Sequence, residues 1–365
     1  MKLVHVQVIP KMSGVQQISL DIFDGLRDKE IQKFVICGEN DNQNEIDQFI
    51  ERFKACGVDV IIVPSLRRNI GLHDYICFKE LYKIFKKHKF DVVHTNSTKP
   101  GIIARIAARC AGVPNIVHTV HGIAFHKEEG LSKRCFYYLI ENFATLFGHH
   151  NITVNKFYTS YYPLVKSKVI YNGIDYSKFS PIPKNKKDKI HFAFFARLDE
   201  QKNPLEFIKA VKIVYDNVSF GNLARFTLAG HGELYEECKK LISYLHLDNI
   251  IAMPGWIKDK DTFLNDVDVL CQPSKWEAFG LVFVEAANFS IPSVARAVEG
   301  VPEVIIDGHS GILYTGDEKE LAQAMLIFLE KPSLISEYGI NAKNYAYKMF
   351  DKERMVKQYA EVYKR

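Results

Sequence analysis

Short apolar runs rich in β-branched residues alternate with amphipathic stretches of helical period along almost the whole chain, and the alternation runs through twice. In the first pass the apolar runs are residues 3–9, 33–37, 58–63, 92–95, 116–120 and 151–154. The helical stretches between them include residues 16–27, 45–56, 79–88 and 101–111. Near-continuous hydrophobic strands of this length belong to a parallel sheet covered on both faces. Strand–helix–strand repetition makes such a sheet doubly wound. The pattern restarts after Asn172-Gly173 and a polar, Pro/Lys-rich segment at 180–189, the best linker candidate. The second set of runs is 190–196, 226–229, 250–253, 267–271, 293–295 and 311–314. An α/β protein of two similar domains follows, with a cleft between their facing strand ends. The expected boundaries are 1–172 and 173–346. Towards the end of the chain Tyr345, Tyr347, Phe350, Met355, Tyr359 and Tyr363 recur near helical spacing and predict a last helix, about 347–365, with one buried face.

A chain of 365 residues is long for a single core and fits two. The net charge of +5 is modest and does not indicate a nucleic-acid partner. Seven cysteines, an odd number with no Cys-x-x-Cys pair, argue for reduced thiols in the cytoplasm rather than a disulfide framework or a zinc site. The first ten residues are too short an apolar run for a signal peptide or a membrane span and read as a first strand.

The chemistry concentrates at predicted strand ends. Glu277 lies on a loop after the run 267–271, and the chain turns at Phe279-Gly280 into a helix carrying Glu285. The N–H groups of Gly280, Leu281 and Val282 then form a helix N-terminus, which attracts anions. A carboxylate on each side of a phosphate cradle suits a sugar nucleotide, one for sugar hydroxyls and one for ribose; alone, the same spacing fits an N-terminal acid and a solvated helix face. Arg197 and Lys202 follow the second domain's first strand and can neutralise a diphosphate, Arg through its fork and Lys as a point charge. They also read as solvated loop cations ahead of a helix started by Pro204. His121, in Thr119-Val-His121-Gly122, ends a first-domain strand, with His118 and His126 close by in sequence. Gly14 would let backbone approach a phosphate or an acceptor, or simply serve a turn. Gly230-His-Gly232 lacks the third glycine of a dinucleotide fingerprint. Asp266-Val-Asp268 has the look of a metal motif but opens a strand instead of closing one. No metal or cofactor is expected.

Together, Pro273-Ser-x-x-Glu277-x-Phe279-Gly280, Glu285-Ala, Ile291-Pro-Ser-Val-Ala295 and Gly300-Val-Pro-Glu303-Val-Ile resemble the donor-site signature of glycosyltransferase family 4. The resemblance takes in Arg197, Lys202 and His121 and covers nearly the whole chain. It implies a retaining enzyme of GT-B fold, two facing Rossmann-like domains, with the last helix packing back on the first. Ser290 stands where a glycine is usual, Glu299 replaces the first of a Gly-Gly pair, and Ala196 replaces the glycine before Arg197. The implied catalytic set is His121, Glu277, Arg197 and Lys202. The implied donor-binding set is Gly14, Arg197, Lys202, Glu277, Phe279, Gly280, Leu281 and Glu285, without metal. The expected donor is a nucleotide diphospho-sugar, UDP-N-acetylhexosamine first. The segment 94–126 resembles capsule and O-antigen enzymes, which extend a lipid-diphosphate-linked saccharide at the cytoplasmic face of a bacterial membrane. The Lys-rich, aromatic stretch from Phe78 to Phe90, and a second at 133–140, are the candidate contacts to anionic lipid. A sugar-nucleotide 2-epimerase of the same architecture and a non-catalytic nucleotide-sugar binder are the alternatives.

Overall fold

The computed structural model describes residues 1–28, 30–183, 188–217 and 219–364. The chain divides into two compact units, Met1–Gly173 with Lys352–Arg365, and Ile174–Asp351.

In the first unit the elements are β1 (Lys2–Val6), α1 (Gly14–Gly25), β2 (Gln32–Cys37), α2 (Gln43–Ala55), β3 (Val58–Ile62), α3 (His73–His88), β4 (Val92–Asn96), α4 (Thr98–Ala111), β5 (Asn115–Val120), α5 (Leu131–Thr145), β6 (His150–Thr153) and β7 (Lys168–Val169). All strands are parallel, in the order β3-β2-β1-β4-β5-β6-β7. The central β4 and β5 are buried at every residue, their polar His, Thr and Asn side chains included. β7 is two residues long and carries no sequence signal of its own. The strand order reverses between β1 and β4, where open α/β sheets bind ligands at the strands' carboxyl ends.

The second unit repeats the plan: β8 (Ile190–Phe195), α6 (Pro204–Tyr215), β9 (Ala224–Ala229), α7 (Tyr235–Tyr244), β10 (Ile251–Gly255), α8 (Lys260–Asp266), β11 (Val269–Gln272), α9 (Leu281–Asn288), β12 (Ser293–Arg296), α10 (Val301–Val304), β13 (Gly311–Tyr314), α11 (Glu318–Glu330) and α12 (Ser333–Met349). Its order is β10-β9-β8-β11-β12-β13, again parallel, with the reversal between β8 and β11. Phe192, Phe194, Phe207, Phe226 and Phe328 fill its core.

Three sequence expectations change. The aromatic repeat at the carboxyl end is not one helix. It breaks at Phe350–Asp351, where Phe350 leaves helical backbone and its carbonyl accepts the N–H of Ile174 at 3.0 Å. Tyr345 and Tyr347 therefore belong to α12, while Met355, Tyr359 and Tyr363 lie on α13 (Lys352–Tyr363) in the first unit. The polar segment 180–189 is not the crossing between units, which falls at Gly173–Ile174. Residues 184–187 lie outside the described residues, but Ser180 and Ile182 donate backbone N–H groups to Asp261 and Asn265 of α8. Finally, α3 starts six residues before the expected 79, because its start at Leu72 has no capping side chain to mark it. Its Phe85 is only 1% exposed and Phe90, just beyond it, 2%, so these two rings belong to the core; Lys79, Lys83, Lys86, Lys87 and Lys89 face outward, as do Tyr75 and Ile76 of the same helix.

Candidate functional site

In the second unit, Arg197 and Lys202 lie on the β8–α6 loop and Glu277 on the β11–α9 loop, so they flank the strand reversal. Lys202 Nζ is paired with Glu277 Oε2, both side chains largely buried. The two loops are stitched together further. Gln201 Nε2 donates to the carbonyl of Trp276 at 3.0 Å, and the Lys275 N–H donates to the carbonyl of Gln201 at 2.8 Å. Arg197 reaches Asp199 at 2.8 Å and Gln201 Oε1 at 3.2 Å, and Asp199 Oδ1 also accepts the Lys202 N–H at 3.0 Å. Arg197 thus presents a half-open guanidinium whose geometry is set by its own loop.

A buried cluster supports that loop. Asn203 has left-handed backbone (φ 55°), and its amide donates to Glu206 Oε2 at 2.5 Å. Glu206 also accepts the Tyr314 hydroxyl at 2.7 Å and the Arg296 guanidinium. Burial pushes its carboxyl up from the ordinary range, against the pull of those three donors. Asp199, Gln201, Glu206 and Arg296 escaped the sequence reading. Only the adjacency of Asp199 to Arg197 and of Arg296 to the end of β12 hints at them.

Helix α9 begins at Gly280, whose φ of 78° favours glycine; a Cβ there would stand 2.5 Å from the Phe283 ring. No side chain caps the helix, so its first amides project at the same end of the sheet as Lys202 and Glu277. Phe279 is 3% exposed and packs edge-on against Phe350 at 5.1 Å, so its ring anchors the loop from the interior. Leu281 is half-buried. Glu285 is held by Lys260 Nζ, at 2.8 and 3.0 Å from its two oxygens. Lys260 also lies over the Phe195 ring at the end of β8. This lysine was not foreseen. The Gly300 N–H donates to the Glu277 carbonyl at 3.1 Å, which ties the loop bearing Glu299 (φ 44°) to the same place.

The rival motifs are structural. A Cβ on Gly230 would collide with the Ala196 carbonyl, so this glycine serves loop packing. Asp268 accepts the His191 N–H at 2.9 Å, and Asp266 pairs with Arg225 at 2.7 Å.

In the first unit, His121 follows β5 and its Nε2–H donates to Asn96 Oδ1 at 3.0 Å, leaving Nδ1 as the acceptor nitrogen. Burial lowers its pKa to about 4, so the ring is neutral near pH 7. His118 is a core residue, bonded to Thr95 Oγ1 at 2.9 Å and packed against Gly101. Gly14 is the exposed first residue of α1. The structure thus gathers Arg197, Lys202, Glu277 and the start of α9 at one sheet end. Glu285 sits on the same helix with its own lysine, and His121 and Gly14 belong to the other unit.

Comparison with known proteins gives the family and the fold. Residues 175–348 match the family model "Glycosyl transferases group 1", and residues 12–178 match "Glycosyltransferase Family 4". An Escherichia coli UDP-Gal:alpha-D-GlcNAc-diphosphoundecaprenol alpha-1,3-galactosyltransferase is 36% identical over 321 residues, 82% of this chain and 80% of that protein. A capsular polysaccharide biosynthesis glycosyltransferase (CapM) of Staphylococcus aureus is 24% identical, covering 94% of this chain and 91% of its own length. The crystal structure of an Anabaena protein (HepE) with UDP and glucose superposes with a TM-score of 0.80 at 20% identity, over 99% of this chain and 98% of the other. That likeness establishes the two-domain fold.

Proposed function

The chain belongs to glycosyltransferase family 4, and from that premise we propose that it moves a hexosyl or N-acetylhexosaminyl group from a UDP-sugar to a saccharide carried on a lipid diphosphate, in the assembly of a bacterial surface polysaccharide. Arg197, Lys202 and the first amides of α9 take the donor diphosphate and need no metal to neutralise it. Glu277 holds sugar hydroxyls and Glu285 the ribose. His121 stands beside the reacting sugar as a neutral donor and acceptor. The bond from the anomeric carbon to the diphosphate oxygen breaks. A bond to the acceptor hydroxyl forms on the same face, and the hydroxyl proton passes to the leaving phosphate.

The observation that carries the reading is the Lys202–Glu277 pair, which joins a cation for the leaving group and a carboxylate for the sugar across the strand reversal. The 36% identical relative makes UDP-galactose, ahead of UDP-N-acetylhexosamine, the first donor to test, and a GlcNAc-diphosphate lipid the first acceptor. That relative is a transferase, so it lends no support to an epimerase. The test is calorimetric titration of UDP into wild type and Glu285→Gln. Loss of affinity for UDP itself is expected, because the ribose is common to product and donor; unchanged affinity would remove the ribose assignment.

A further inference from the structure

Helix α5 is amphipathic in the wrong sense for a soluble protein. Its inward side carries Glu141, Asn142 and Thr145, all buried. Most of these polar groups are bonded locally: Glu141 accepts the hydroxyls of Thr98 and Tyr162 at 2.7 and 2.6 Å, Thr145 donates to the Asn142 carbonyl at 2.6 Å, and Asn142 Nδ2 donates to the Tyr161 carbonyl at 3.0 Å, while Asn142 Oδ1 has no hydrogen-bond partner among the described residues. Its outward side carries Phe136, Leu139 and Phe143, followed by Leu146, with exposures of 47, 66, 54 and 57%. At about 100° per residue these four fall within an arc of roughly 80°. Leu131, at the start of the helix, is 73% exposed. Scattered exposed leucines are ordinary, but an apolar stripe over about three turns is the mark of a surface that meets something apolar.

The position of the stripe narrows what it meets. The Thr98–Glu141 hydrogen bond sets Glu141 beside the first residue of α4, level with the carboxyl end of β4. The ten residues of α5 before Glu141 therefore run beyond the strand ends, the ligand side of the sheet. From 127 to 168 the chain carries Lys127, Lys133, Arg134, Lys156, Lys166 and Lys168 against Glu128, Glu129 and Glu141. With buried Glu141 and the Glu129–Lys133 pair set aside, and Lys168 lying 3.9 Å from Glu361, Lys127, Arg134, Lys156 and Lys166 stand against Glu128, so the balance is basic. Among the described residues no helix is long and apolar enough to cross a membrane.

We infer that α5 is a bilayer-docking helix. Its Phe136–Leu139–Phe143–Leu146 stripe enters the boundary between headgroups and acyl chains of an anionic membrane, and the neighbouring Lys and Arg hold the headgroups. The inference rests on the lipid-linked acceptor proposed above and places the contact on α5, which carries the second of the two stretches expected from the sequence.

The experiment is co-sedimentation of the full chain with vesicles of phosphatidylethanolamine and phosphatidylglycerol, and with phosphatidylcholine alone. The variant is Phe136→Ser/Leu139→Ser/Phe143→Ser, with UDP binding as the measure that it is folded, since these side chains already face solvent. Wild type should bind the anionic vesicles, more weakly as salt rises, and the variant should lose about tenfold or more in partition. Equal binding by variant and wild type, or no binding by either, overturns the proposal. So does a wild-type dimer in sedimentation velocity that the variant converts to monomer, which would make a second copy the occupant. Vesicle binding without turnover of any lipid-diphosphate acceptor would refute the acceptor reading and leave the docking helix standing.

Discussion

At the scale of single residues, the pairing of Lys202 with Glu277 changes what a substitution means. Lys202→Ala removes the charge proposed to face the leaving group and also strips Glu277 of its cation. Loss of one preorganised contact to developing charge costs about 10²–10³ in kcat, and steady-state kinetics on Lys202→Ala should fall at the upper end of that range. Glu206 is a different case, because it touches the site only through Asn203 and Arg296. Glu206→Ala leaves the Arg296 guanidinium without its carboxylate partner, a change that costs about 3 kcal/mol when the pair is buried. Its urea midpoint should drop clearly, while UDP affinity falls less than in Glu285→Gln. A midpoint equal to wild type would mean the cluster carries no strain-bearing role under the loop.

At the scale of elements, two of the three departures from the family pattern prove to be backbone statements. Ser290 has φ 54° and Glu299 φ 44°, both left-handed. Ser290 follows α9, and the bonds Ser290 N–H to Ala287 O and Ile291 N–H to Ala286 O make a Schellman ending, where glycine is usual. A side chain in that conformation costs about 1–2 kcal/mol, partly offset by the freedom glycine adds to the unfolded chain, about 0.4–1 kcal/mol. Ser290→Gly should therefore stabilise the protein by up to about 1 kcal/mol, seen as a higher Tm in calorimetry with unchanged UDP binding. A lower Tm would show that Ser290 makes a compensating contact. Glu299 lies in the loop tied to the Glu277 carbonyl, so the same change there should alter activity as well as stability.

For the whole molecule, the path of the chain matters most. It leaves the first unit at Gly173, builds the second, and returns with α13. Tyr363 Oη lies 3.0 Å from His5 Nε2 and 2.7 Å from His94 Nδ1, and Thr119 joins His94 and Tyr359 at 2.8 and 3.1 Å. The last turn of the chain thus completes the centre of the first unit. Removing residues 352–365 should speed amide exchange in β1, β4 and β5 while sparing β8–β13, although α13 follows the second unit in sequence. Exchange lost mainly from the second unit would contradict this. Burial lowers the pKa of His5 to about 3 and of His121 to about 4, and holds His94 and His118 well below the ordinary value. An unfolded chain protonates them near pH 6.5. Between that value and about 4 the unfolded state binds more protons, so stability falls as pH is lowered, by up to about 1.4 kcal/mol per pH unit for each histidine. Urea midpoints at pH 7 and 5 should show the loss, and His94→Gln should flatten it.

What the sequence determined by itself is what local periodicity and strand-end chemistry encode. Two parallel sheets follow from short buried runs between amphipathic stretches. Arg197, Lys202, Glu277 and Gly280 announce themselves because a loop after a strand and the start of the next helix are contiguous in the chain. Tertiary structure alone decided which charges meet. Lys202 and Glu277 are 75 residues apart, Arg296 and Glu206 90, and Lys260 and Glu285 25, with no pattern linking either member to the other. It also decided that the carboxyl-terminal aromatics divide between two units, since Phe350 is turned out of helix by a bond to distant Ile174. And it decided which side of α5 faces inward. Helical period shows that a stripe exists, but polar Glu141 goes inside because Thr98, Tyr162, the Ala124 backbone and the Arg105 charge are there to receive it.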